Sequence, residues 1–326
     1  MPENLPPQYM EVERQLKTAE TNEEKIAIYE ELLSIIPKHK GTEKLQAMLK
    51  TKMAKCRSAA QKKAATAKHG PSHTIRKSGA GQVVLIGSPN AGKSMLIKSL
   101  TDADPPVSNY QFTTTAPYPY MMPFENIQVQ LIDTPPITPD YMEVFHHELV
   151  KSADGVIVVI DPADTDPAGL LQALLDRLRE KNIDFIAVDQ PPIPDRKFCK
   201  KTLMVANKCD LTGGDIDAVQ KSLDPGFELI KVSATTGEGL EDLKKRIFSM
   251  LEVVRVHSKI PGKKAELDSP YTLKKGSTVM DLARVVHKDF SEKLRFARIW
   301  GENKYQGQKV NRKYILEDED IIELHI

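Results

Sequence analysis

Eight consecutive residues, Gly87-Ser88-Pro89-Asn90-Ala91-Gly92-Lys93-Ser94, have the types and spacing needed to hold the phosphates of a nucleotide. The glycines let successive backbone N–H groups curl around phosphate oxygens, and a following helix presents its positive end to them. Lys93 is expected to reach the β and γ phosphates, and the Ser94 hydroxyl to ligate Mg²⁺. The loop lies after the apolar run Val83–Ile86 and before the amphipathic stretch Met95–Leu100, the order this chemistry requires. A second apolar run, Val129–Ile132, ends in Asp133-Thr134-Pro135-Pro136. Asp133 is expected as the outer-shell partner of the same Mg²⁺; the lesser alternative is a cap on a turn or a helix.

The base decides between adenine and guanine. Asn207-Lys208-Cys209-Asp210 follows the run Leu203–Ala206. The Asp210 carboxylate can accept two hydrogen bonds from guanine's ring N–H and exocyclic amine, which adenine cannot supply in that arrangement. The tetrad resembles the N-K-x-D motif of GTPases. In that role the Lys208 stem lies over the base and Asn207 ties this loop to the phosphate loop. Ser233-Ala234-Thr235 follows Leu229–Val232 and resembles the loop whose backbone N–H contacts guanine O6. Each fragment is weak alone, since Asn-Lys-Cys-Asp also makes a plain turn. The ordered set of four at strand ends is specific, and Asp210 opposes an ATPase or kinase.

These loops need a scaffold. From 79 to 255, apolar runs alternate with amphipathic stretches at Tyr141–Val150, Gly169–Arg179 and Leu240–Leu251, and Val156–Ile160 is a further strand. This predicts a doubly wound α/β domain with a mostly parallel sheet, its ligand beyond the carboxyl ends of the strands. Residues 1–78 predict a helical hairpin between Glu11 and Arg57, opened by a Thr21/Glu24 capping box and carrying Ile26, Tyr29, Leu33 and Ile36 on one face. Lys50, Lys52, Lys55, Arg57, Lys62, Lys63, Lys68, Arg76 and Lys77 follow without one Asp or Glu. Such a one-sign arm favours phosphate backbones, or is simply a solvated linker. Residues 256–326 predict a small α+β unit after a linker, which is read over Arg255–Pro270.

The 326 residues carry a net charge of +1, so the sum alone does not mark a polyanion binder, and the uneven local pattern matters more. Cys56, Cys199 and Cys209 have no metal-ligand spacing, which argues against a zinc site or a disulfide scaffold and for a cytoplasmic protein. No run approaches the ~20 apolar residues of a membrane span, and the amino terminus does not read as a signal peptide. His146-His147 reads as a packing or solvated pair, Trp300 as core, and Glu317 to Asp320 as a charged turn.

Asn109-Tyr110-Gln111-Phe112-Thr113-Thr114-Thr115-Ala116-Pro117 resembles the first switch of the Obg and DRG (developmentally regulated GTP-binding protein) GTPases. That resemblance implies a Thr, Thr114 or the neighbouring Thr113, closing on Mg²⁺ and the γ phosphate. Leu273 to Ala283, His287 to Phe290 and the tail Ile321 to Ile326 resemble a TGS domain, a small β-grasp fold associated with RNA or ribosome contact. The amino-terminal hairpin also resembles the DRG arrangement. The family implies a regulatory GTPase that binds GTP or GDP with Mg²⁺ and works with the ribosome, rRNA or tRNA, and with an accessory protein, in translation or ribosome assembly. The alternative is a nucleotide-gated RNA- or ribosome-binding module with little or no hydrolysis.

Two departures bear on rate. Pro136 stands where the family has a Gly whose N–H meets the γ phosphate, and proline has no N–H. Ile137 stands where Ras-like enzymes carry a water-orienting Gln, so hydrolysis is expected to be slow. Asn90 offers compensation, because in several GTPases an Asn at this position helps hold K⁺ where an arginine finger would place its charge.

Overall fold

In this computed structural model the described residues are 75–103, 116–138, 141–211, 213–302 and 304–326, with residues 12, 25, 28, 29, 32, 33, 36 and 46–53. Two units separate, 1–72 and 73–326. In the first, Val12, Leu32, Ile36 and Leu49 form a small apolar cluster, flanked by Ile28, Tyr29 and Leu33. Met48, next to Leu49, is 46% exposed. Thr21, Glu24 and the arm from Lys55 to Lys68 lie outside the described residues.

In the second unit, the buried runs become the centre of a seven-stranded sheet. Its strands are β1 (Gln82–Gly87), β2 (Tyr118–Phe124), β3 (Ile127–Asp133), β4 (Gly155–Ile160), β5 (Ile183–Ile186), β6 (Phe198–Ala206) and β7 (Leu229–Lys231). The order is β2-β3-β1-β4-β6, with β5 and β7 both paired to β6. Every pairing is parallel except β2 with β3. Strand β2 carries Pro119 and Pro123, which suits a sheet edge, where a missing N–H costs no ladder bond.

Because side chains alternate along a strand, β1 feeds two cores. Val83 and Leu85 pack with Leu96, Ile97 and Leu100 of α1 (Lys93–Leu100) and with Leu243 and Ile247 of α5 (Leu240–Leu251). Val84 and Ile86 pack on the other face with Phe145 and Leu149 of α2 (Val144–Ser152) and Leu171, Leu174 and Leu178 of α3 (Pro167–Arg179). A shorter helix, α4 (Ile216–Ser222), precedes β7. Helices on both faces fix the parallel strands, whose carboxyl ends at Gly87, Ile160, Ala206 and Lys231 open onto one edge. Asp133 ends the neighbouring β3 on that edge.

The chain leaves α5 directly into β8 (Val253–Ser258), a strand of a second, five-stranded sheet. Its order is β11-β10-β12-β8-β9, with β9 Tyr271–Lys274, β10 Phe296–Trp300, β11 Gln308–Val310 and β12 Asp320–His325. Helices α6 (Val279–Val286) and α7 (Lys288–Lys293) complete it, and Thr278 and Asp281 form a capping box at the start of α6. The stretch read as a linker from Arg255 therefore begins inside a strand, and β8 spans the expected boundary between 255 and 256. Its charge hid it: Val254 and Val256 enter the small core, while Arg255 and His257 are buried on the other face against Asp318 and Glu319.

Arg255 joins the two sheets. Its guanidinium, 8% exposed, meets Asp318 at 2.6 Å and Glu319 at 3.0 Å from the small domain. Nη1 also meets Glu125 and donates to Asn126 Oδ1 at 3.2 Å, in the turn between β2 and β3. The expected charged turn at Glu317–Asp320 is thus a clasp, completed by Lys304 on Glu317 and Asp320. Among the described residues no cluster of acidic, His or Cys side chains could hold a metal ion. Replacing Arg255 with Met leaves these partly solvated carboxylates facing one another and should cost about 1–3 kcal/mol. A lowered melting temperature would register the loss, and an unchanged one would contradict it.

Candidate guanine-nucleotide site

Three loops meet at the carboxyl edge of the sheet. The first, Gly87–Ser94, turns sharply between β1 and α1, and its glycines are sterically required. A Cβ on Gly87 would stand 2.3 Å from the Val159 carbonyl oxygen, and one on Gly92 would stand 2.3 Å from the Asn207 side-chain nitrogen. Gly92 has φ +88° and Asn90 φ +57°, left-handed conformations that Gly and Asn tolerate best. Asn90 is exposed at the loop's rim, beside Ser88 and Pro89, while Ala91 is buried.

Lys93 lies across the mouth of this loop. Its Nζ donates to the carbonyls of Gly87 at 3.1 Å and Ser88 at 2.9 Å. Burial pushes the ammonium down to about 8, with Asp133 opposing. Ser94 Oγ donates to Asp133 Oδ2 at 2.6 Å, so the two expected metal residues are in contact. Thr113 and Thr114 lie outside the described residues.

The second and third loops are tied to the first by one side chain. Asn207, 1% exposed, donates from Nδ2 to the Ala91 carbonyl at 3.0 Å. Its Oδ1 accepts the Ala234 N–H at 3.1 Å. The link to the phosphate loop expected of Asn207 is present, and it extends to the Ser233-Ala234-Thr235 loop. Ser233 is buried and its hydroxyl accepts the Thr236 N–H, whereas Thr235 is exposed. Ser99 of α1 also donates to the Ala234 carbonyl at 2.5 Å.

Lys208, in the left-handed region at φ +62°, directs its stem past Gly92, with Cε 3.9 Å from that residue's absent Cβ position. Its ammonium pairs with Asp161 at 2.7 Å. Sequence reasoning missed Asp161; the available signal was a carboxylate immediately after Val156–Ile160. Asp210 is exposed at the loop's end.

After β3 the chain departs from an ordinary switch. Thr134 Oγ1 donates to the Leu85 carbonyl at 2.6 Å, Pro135 and Pro136 are buried, and the Ile137 N–H bonds to the Gly87 carbonyl at 3.1 Å. The Ile137 side chain is 2% exposed and packs in the core with Phe145 and Leu149. His146 is fully buried, stacks on Phe145, and places Nε2 2.9 Å from the Pro135 carbonyl. Burial holds the imidazole below its ordinary value, against the Pro135 and Glu143 carbonyls that face its two nitrogens. The packing alternative for this residue is the one the structure adopts, and its partner is the backbone just after β3.

Comparisons with known proteins match this architecture. Residues 82–191 match the family described as 50S ribosome-binding GTPase, and residues 255–326 match the TGS domain. An uncharacterized GTP-binding protein of Methanocaldococcus jannaschii is 29% identical, covering 93% of each chain. A developmentally-regulated GTP-binding protein 2 homolog of Dictyostelium discoideum is 25% identical over 92% of this chain and 98% of its own. The chain carries a P-loop GTPase domain followed by a TGS domain, and its relatives include DRG proteins. The fold of this DRG-like GTPase also resembles the solved YchF GTPase of Schizosaccharomyces pombe. That match has a TM-score of 0.53 and 15% identity, covering 77% of this chain and 99% of the other. The TGS match takes in most of β8, as the small sheet does.

Proposed function

We propose that this DRG-like GTPase is a regulatory switch that binds GTP or GDP with Mg²⁺, hydrolyses GTP slowly, and engages RNA or the ribosome. The observation that carries this reading is Asn207, whose two hydrogen bonds join the phosphate loop to the Ala234 loop. Phosphate recognition and base recognition then form one rigid unit, a preorganisation that lowers the ordering cost of binding. In this reading Gly87 to Ser94 hold the phosphates, Asp210 and Ala234 to Thr235 read guanine, and Lys208 lies along the base.

Ser94 and Asp133 suit Mg²⁺. A hydroxyl and a carboxylate in contact at the loop mouth are hard oxygen donors of the kind this ion shares with phosphates and water. Mg²⁺ would supply charge for the phosphates, and Lys93 would add its ammonium. Slow hydrolysis follows from the second switch: Pro136 offers no N–H, and Ile137 is packed into the core. Exposed Asn90 is the residue we assign to a K⁺ that supplies the missing charge. The ribosome enters from the description of the matching GTPase family, and RNA from the TGS resemblance.

The burial of Lys93 gives a pH dependence. Phosphates restore its charge, so above pH 8 binding must take up a proton. From pH 7 to pH 9, GDP affinity should fall about tenfold in saturating Mg²⁺, the ratio expected for one group titrating near 8. Titration with a fluorescent GDP analogue measures it, and a flat profile would contradict the role of Lys93.

Turnover tests the switch itself. With Mg²⁺-GTP at equal ionic strength, phosphate release should be faster in KCl than in NaCl. Equal turnover in the two salts would remove the K⁺ assignment. The core position of Ile137 favours a second reading, a nucleotide-gated binding module; GTP bound with no turnover in either salt would support it over the first.

A further inference from the structure

We infer that a lysine-lined cleft at the junction of the GTPase and TGS domains, at the opposite end of the sheet from the nucleotide loops, binds an RNA phosphodiester backbone. The inference rests on the RNA contact proposed above and gives it a place.

The cleft is open, about 460 Å³, and lies at the amino ends of the parallel strands. Its GTPase wall includes Asp154, just before β4, with Lys200 and Lys201 of β6. Its TGS wall is Lys274 and Lys275 at the end of β9. Lys77, the last residue of the basic arm, reaches the same place and pairs with Asp154 at 2.7 Å. Lys274 also approaches Asp154, at 3.5 Å, and Lys201 pairs with Glu252 at 2.6 Å. Five ammonium groups thus share two carboxylates.

The excess is physical, not merely a count. Lys200 is half-buried and spends its ammonium on the Ala153 carbonyl at 2.8 Å. Burial and the nearby Lys77 charge both hold its pKa below the ordinary value, against the pull of Asp154. An incoming anion would relieve that repulsion. Two further lysines, Lys151 and Lys197, cover the Phe198 ring and continue the basic strip along β6.

The chemistry fits a polyanion backbone. The site is open and has a cation on each wall, so it suits a chain of phosphates running through it. Its charges are lysines, compact point charges that neutralise phosphates without reading sequence. The cleft should therefore bind RNA with strong salt dependence and little sequence preference.

The test uses full-length, GDP-loaded protein and a fluorescein-labelled RNA hairpin, followed by anisotropy over a salt series. Lys274→Glu/Lys275→Glu changes two exposed side chains. Lys263→Glu/Lys264→Glu, an exposed pair in the connection between β8 and β9 and outside the cleft lining, is the charge-matched control. The first pair should weaken RNA binding at least tenfold and reduce the salt slope by about one to two, as expected when one or two phosphate contacts are lost. GDP affinity should stay unchanged, which also reports an intact fold. If the wild type binds RNA and the cleft variant binds equally well, or no worse than the control, the cleft is overturned while the RNA reading stands. A wild type that binds no RNA overturns both.

Discussion

Asp210→Asn should weaken GTP binding by about a thousandfold and create affinity for xanthosine triphosphate. The carboxylate offers two acceptors to guanine's ring N–H and amine, and each charge-assisted bond is worth about 1.5–3 kcal/mol. Asparagine keeps one acceptor and presents an amide N–H₂, which repels guanine's amine and suits the xanthine C2 carbonyl. Asp210 is exposed and its loop is held by Asn207, so the fold should tolerate the change. Competition of GTP and xanthosine triphosphate against labelled GDP measures the switch. A variant that binds GTP as the wild type does would remove Asp210 from base recognition.

Lys93→Met should act in opposite directions on binding and stability. Without the ammonium, GTP affinity should drop by about a hundredfold or more, since a charged hydrogen-bond donor to phosphate is lost from a buried site. The nucleotide-free protein should instead become more stable. Its Lys93 sits at about 8 when folded, against 10.5 for the free side chain. Below pH 8 the ammonium is charged in both states, and the folded state bears the burial penalty in full. That penalty is relieved as pH climbs from 8 to 10.5, so stability rises with pH across that window.

The shift corresponds to roughly 3 kcal/mol at neutral pH as an upper bound. Methionine forfeits the bonds to the Gly87 and Ser88 carbonyls, which leaves a net gain of about 1–2 kcal/mol. Thermal melting of the nucleotide-free protein at pH 7 checks the sign. A melting point lower than that of the wild type would mean that Lys93 stabilises the empty loop.

The nucleotide loops were legible because their chemistry is local. Gly87 and Gly92 are forced by backbone geometry, and the expectation for Asp210 comes from the hydrogen-bonding edge of guanine. Residues whose partners are distant in sequence were not legible. Asp161 pairs with Lys208 across 47 positions, and a carboxylate at a strand end does not by itself name so distant a partner. His146 looked like half of an indifferent pair until the fold brought it to the Pro135 carbonyl. Strand β8 was missed because Arg255 and His257 resemble a solvated linker; their burial is compensated by carboxylates more than sixty residues away. Strand β2 was unread because its two prolines argue against a strand anywhere but at an edge, and edge position is a property of the assembled sheet. The apolar runs of β1, β3, β4 and β6 were plain because a strand buried on both faces is a continuous apolar run.

The most direct test of the account is calorimetric titration of the nucleotide-free protein with GTP and, separately, ATP, each with saturating Mg²⁺. The arrangement around Asn207 and Asp210 predicts GTP binding at least about a hundredfold tighter than ATP, because adenine leaves the Asp210 acceptors unpaired. Equal affinities would contradict it, for the three loops would then hold phosphates without reading the base.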